Sequence, residues 1–109
     1  MKSTEHGWTL YVIDLKKSVL SRKQFQVANP GYVTGRPCVY VGVTYLTAME
    51  RFEQHMNGIR SSRIVRSYGK RVRTGECRRL RSMTRASAER KEAAYAARLR
   101  ARGWGVWSN

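Results

Sequence analysis

The chain has 109 residues, 41% of them hydrophobic, enough for one domain with a single modest core. Its 22 basic and 7 acidic side chains give a net charge of +15, an excess that neither folding nor solubility requires and that points to a polyanionic partner, nucleic acid before a membrane surface. No apolar run approaches the roughly 20 residues that span a bilayer and no signal-peptide pattern opens the chain, which excludes a membrane-spanning reading and leaves a cytoplasmic protein as the expectation.

The charge is unevenly placed. Residues 1–50 hold 6 basic and 3 acidic side chains, whereas residues 51–109 hold 16 and 4. The basic residues do not gather opposite a bulky apolar helix face, which counts against a membrane anchor. The two cysteines, Cys38 and Cys77, lack metal-like spacing, and a reduced chain is the simplest reading.

In chain order, WTLYVIDL (8–15) is apolar on both alternating faces and reads as a central strand. Residues 16–36 are polar, carry NPG at 29–31 and Gly35, and are expected to form a long, partly irregular connection. PCVYVGVT (37–44) predicts a second strand over 38–44. Alternation puts Val39, Val41 and Val43 on a core face and Cys38, Tyr40, Gly42 and Thr44 on the other. A tyrosine beside bare backbone leaves room for a ligand to approach the sheet; a phenol packed beneath a neighbouring loop is the alternative.

TAME (47–50) is a capping box, so a helix starts at Thr47, with Met49, Phe52 and Met56 as its buried stripe and Asn57-Gly58 as its end. Arg51 and His55, four apart, are neighbours that border this stripe. An arginine-rich helix around 61–68 follows, carrying Ile64, Val65 and Tyr68. Residues 70–85 offer only Val72, Cys77, Leu80 and Met83 as anchors.

The last helix, about 86–102, places Ala88, Glu92, Tyr95 and Leu99 on one face and Glu89 further round. A carboxylate on an apolar stripe must be paired, protonated or bound to a metal. WGVW (104–107) reads as a short final strand. The order β-β-α-α-α-β predicts one α+β domain over 1–109, a small, mainly antiparallel sheet of about three strands flanked by helices.

Together these segments resemble a known family. TLY (9–11) and YVG (40–42) look like the two half-motifs of the GIY-YIG nucleases, and TAMERFEQHMNGI resembles that family's helix, with its arginine and a histidine four residues on. ERKEAAYAARLRARGWGVW resembles the closing segment of small, single-domain bacterial members. The resemblance covers the chain apart from 16–34. Two departures stand out: the first half-motif keeps only its tyrosine, and Val43 replaces a polar residue common after the second, a role left to Thr44 or Lys70. Asn109 is the terminal residue and is given no role.

The resemblance implies a metal-dependent DNA endonuclease. Arg51 would clamp phosphate oxygens as a planar cation. Glu92 would hold one Mg²⁺ or Mn²⁺ ion, with water and the substrate phosphate completing the site. Tyr11, Tyr40 or His55 would take the proton from the attacking water, and the residues leave that choice open. Arg60, Arg63, Arg66, Lys70, Arg71 and Arg73 would track the backbone of duplex or branched DNA, or of RNA. The alternative is a catalytically inactive nucleic-acid-binding module on the same scaffold; a structural protein of an RNA particle is a third reading.

Overall fold

The computed structural model describes residues 7–81 and 84–108. Strand β1 (Trp8–Leu15) and strand β2 (Cys38–Thr44) form an antiparallel pair with the bounds the alternation predicts. Between them the polar stretch is ordered. A 3-10 turn (Lys17–Ser21) and helix α1 (Lys23–Ala28) occupy it, and each drives one apolar residue, Val19 and Phe25, fully into the core. The connection is irregular only over 29–37, which hold turns, while 17–28 are more regular than expected because two buried anchors suffice where the intervening positions face water.

Helix α2 (Ala48–Met56) begins with the predicted capping box: Thr47 Oγ1 accepts from the Glu50 amide at 3.1 Å, and Glu50 Oε1 from the Thr47 amide at 3.0 Å. Its buried side differs from the expected stripe. Met49 and Met56 are 54% and 40% exposed, while His55 is 0% exposed and Phe52 and Ala48 pack against the core. The physical reason is that His55 finds partners for both ring nitrogens inside, which makes its burial inexpensive. Helix α3 (Arg63–Tyr68) is capped by Ser62, buries Ile64 and Val65, and ends at Gly69 as expected.

The sheet is larger than the expected three strands, and it is mixed. Strand β3 (Gly69–Val72) pairs with the Ile13–Leu15 end of β1, and strand β4 (Arg78–Leu80) with its Trp8–Leu10 end, both antiparallel. Helix α4 (Arg85–Ala101) then crosses over to strand β5 (Gly105–Ser108), which lies parallel to β2. The result is a five-stranded sheet with four α-helices, in the order β3-β1-β2-β5 with β4 beside β1. Met83, a suggested anchor, and Asn109 lie outside the described residues.

The sheet separates two cores. On one side Tyr11, Ile13, Cys38 and Tyr40 meet Phe25, Ile64 and Val65; on the other Leu10, Val12, Val39 and Val41 meet Tyr95, Ala96 and Leu99 of α4. Among the described residues, no helix is long and apolar enough to cross a membrane.

Candidate functional site

Pairing of β1 with β2 sets Tyr11 opposite Gly42 and Ile13 opposite Tyr40. Both tyrosines project to the α2–α3 side, each 1% exposed, with ring centroids 6.0 Å apart. Gly42 is there for Tyr11. A Cβ at position 42 would stand 2.7 Å from both Cζ and Oη of Tyr11, well inside van der Waals contact. The bare backbone therefore seats an aromatic ring, a correction to the expectation that it admits a ligand.

Helix α2 delivers His55 to the same point. Its Nε2 lies 2.8 Å from Tyr11 Oη, and its Nδ1 accepts the Ser62 amide at 3.1 Å. Burial, with the Arg51 charge second, pushes the imidazole down to about 4, so it is neutral near pH 7. A neutral imidazole carries one proton. Since Nδ1 is the acceptor, the proton sits on Nε2 and is donated to Tyr11. His55 in this arrangement has no lone pair left to serve as a base. The Tyr40 ring meets it edge-on at 5.4 Å.

The Tyr11 hydroxyl is raised well above the ordinary phenol value, by burial first and by Tyr40 next, against the opposing pull of Arg51. It stays protonated. Arg51 itself is half-buried and engaged: Nη1 donates to Gln54 Oε1 at 2.9 Å and to the Ile59 carbonyl at 3.2 Å, and Nη2 to the Arg60 carbonyl at 2.8 Å. With the Ser62–His55 bond, these contacts fix the loop between α2 and α3, where Arg60 takes a left-handed φ of 47°. Four of the five expected catalytic residues thus come together from β1, β2 and α2.

The fifth is across the sheet. Glu92 is 5% exposed on the inward face of α4, whereas Glu89 is exposed and paired with Arg85 at 3.2 Å, the orientation the helical spacing predicts. Glu92 lines a cavity of about 250 Å³ with Trp8, Val43, Arg85 and Glu89, on the face opposite Tyr11. The two sites share one end of the sheet, because Gly42 and Val43 are consecutive. Among the described residues no three His, Cys, Asp or Glu side chains converge as a metal cluster. The donors at the cavity are nonetheless hard carboxylate oxygens, which suit one Mg²⁺-like ion completed by water and phosphate.

Of the expected backbone-tracking residues, Arg60, Arg63, Arg66, Lys70 and Arg71 are exposed. Arg73 is not of that kind: it is bonded to Asp14 at 3.1 Å and its guanidinium stands 5.0 Å from the Trp104 ring, a structural role. Arg71 reaches the same carboxylate at 3.5 Å. Thr44, one proposed stand-in for the missing polar residue, is buried and accepts the Leu46 amide at 3.0 Å, while Lys70 is exposed on β3. Sequence reasoning missed Ser62, whose position before Arg-Ile-Val marks it as a helix cap, and Trp8, stacked on Tyr45 at 4.1 Å. Compared with known proteins, the chain matches no family model, no curated relative and no solved structure.

Proposed function

We propose that the protein is a metal-dependent DNA endonuclease with a GIY-YIG-type site. One observation carries this reading: Tyr11, Tyr40, His55 and Arg51, distant in sequence, converge at one end of a sheet in a strongly basic chain. Arg51 carries five N–H donors and gives three to Gln54, Ile59 and Arg60, so its planar cation would still have a donor for a phosphate at the site. His55 donates to the Tyr11 oxygen and so fixes the protonated phenol beside Tyr40 and Arg51. Glu92, with Glu89 at the rim, is the place for a divalent ion, which supplies charge neutralisation for phosphodiester hydrolysis when bound.

A second reading, a binding module without catalysis, is favoured by a different observation. The single acceptor nitrogen of His55 is used, Tyr11 is held protonated, and the sheet stands between them and Glu92. Plasmid nicking with Mg²⁺ or Mn²⁺ separates the two. The nuclease reading expects metal-dependent nicking that Arg51→Ala and Glu92→Gln each lower by about 10²-fold or more, with DNA affinity nearly intact. Binding to plasmid without nicking in either metal establishes the module instead.

A further inference from the structure

Between β4 and α4, on the face of the sheet away from Tyr11, lies a second cleft of about 330 Å³. Its walls carry Arg78, Arg79 and Arg81 on one side and Lys91 and Arg98 on the other. All five are exposed, and none forms an ion pair among the described residues. Like charges gathered within a Debye length of one another repel, and nothing in the packing requires five cations here. The floor is apolar, made by Leu10, Leu80 and Ala94. Tyr95 closes it, anchored by a hydroxyl that donates to Glu76 at 2.7 Å, with the Arg98 guanidinium 5.9 Å from its ring centroid.

The cleft and the Glu92 cavity are neighbours across one strand pair. Leu80 on the cleft floor is the register partner of Trp8, and Trp8 lines that cavity. Trp8 is 8% exposed, and among the described residues its buried Nε1–H has no acceptor. A buried donor without a partner is destabilising unless an oxygen reaches it. A basic cleft with an apolar floor thus lies one strand pair away from a buried donor and a carboxylate, on the same face of the sheet.

We infer that the β4–α4 cleft binds an unpaired nucleic-acid strand, phosphates on the five cations and sugars or bases on the apolar floor, and leads it toward Trp8 and Glu92. This rests on the nucleic-acid reading above, but assigns the strand to a surface other than the α3–β3 ridge. A duplex keeps its base faces stacked inside and would leave the floor uncovered; an unpaired strand exposes the apolar faces that fill it.

Fluorescence anisotropy with a thymine-only strand of about eight nucleotides tests this. Two variants are compared with the wild type: a cleft triple, Arg78→Gln/Lys91→Gln/Arg98→Gln, and a ridge triple, Arg60→Gln/Arg63→Gln/Arg66→Gln. All six side chains are exposed, and melting curves check the fold. The cleft triple should bind the strand at least about tenfold more weakly near 0.1 M salt, with the log K against log salt slope reduced by about 2. The ridge triple should stay within about twofold of the wild type on the strand and lose affinity for duplex. Lys91→Glu alone gives the same comparison should the triple variant melt early. Wild-type strand affinity in the cleft variants, alongside normal duplex binding, overturns the cleft and spares the nuclease reading. A wild type that binds neither strand nor duplex overturns both.

Discussion

At the scale of single residues, the centre of the molecule is a contact between Gly42, Tyr11 and His55. Gly42→Ala places a methyl group 2.7 Å from the Tyr11 ring, which is held by His55 and cannot swing away cheaply. The substitution should cost about 1–3 kcal/mol, and Tyr11→Leu should recover much of the loss in the double variant. A cycle of denaturant melts reads the coupling, and additive losses would show that the ring is not what Gly42 makes room for. His55 makes the same centre sensitive to pH. Its folded value, about 4, lies below the unfolded one near 6.5, so the unfolded chain binds the extra proton between them. Stability due to neutral burial is present above about pH 6.5 and is lost as pH falls toward 4. Between pH 7 and 5 the loss should be about 2 kcal/mol, and His55→Gln should flatten it. An equally steep wild-type and variant profile would place the titrating group elsewhere.

At the scale of elements, Asn29 joins three of them. Its Nδ2 donates to the carbonyls of Phe25 and Val106, and its Oδ1 accepts from the Val106 amide and Arg100 Nε. The Val106 amide fixes which way the side-chain amide points, since only an oxygen can accept there. Asn29→Asp keeps both acceptor bonds but turns two donor contacts into oxygen facing oxygen. It should lower stability by about 2–3 kcal/mol despite its new charge beside Arg100, and thermal melting measures this. An unchanged midpoint would mean that β5 does not depend on this junction. None of it shows in the sequence, where NPG reads only as a turn. What alternation and capping encode was legible: β1, β2, the start of α2, and the inward turn of Glu92. Strands β3 and β4 were not, because they are three or four residues long and largely basic, and their strand form comes from backbone pairing with β1. The buried face of α2 is not legible in its sequence, because methionine is the more apolar residue and the burial of His55 depends on Tyr11 and Ser62. Arg51 and His55 were found as candidates, but their hold on the α2–α3 loop needs the folded chain. That Tyr11 and Glu92 stand on opposite faces follows from strand parity together with the placement of α4, and only the first is written in β1.

At the scale of the whole molecule, charge dominates. The chain is +15, and ten of its exposed cations form two sets of five on different parts of the surface, the α3–β3 ridge and the β4–α4 cleft. Duplex DNA should engage the ridge through phosphates alone. Arg60, Arg63, Arg66, Lys70 and Arg71 are the exposed contacts there, while Arg73 is committed to Asp14 and Trp104. Five neutralised phosphates give a slope of log K against log salt near −4 to −5. The same count separates the arginines by role. Arg63→Gln should leave stability within about 0.5 kcal/mol, since it is a surface change, and should lower the magnitude of the slope by about 1. Arg73→Gln should do the reverse: the slope holds, and the fold weakens because Asp14, 9% exposed, loses its nearer cation. Removing one partner of a largely buried pair leaves the other charge unmet, although exposed Arg71 offsets part of that loss. Titrations of a labelled duplex across a salt series, paired with melting curves of both variants, measure the two quantities on the same samples. A slope near zero in the wild type would remove the electrostatic footprint altogether, and a slope that falls in Arg73→Gln but not in Arg63→Gln would put the duplex on the other side of β3.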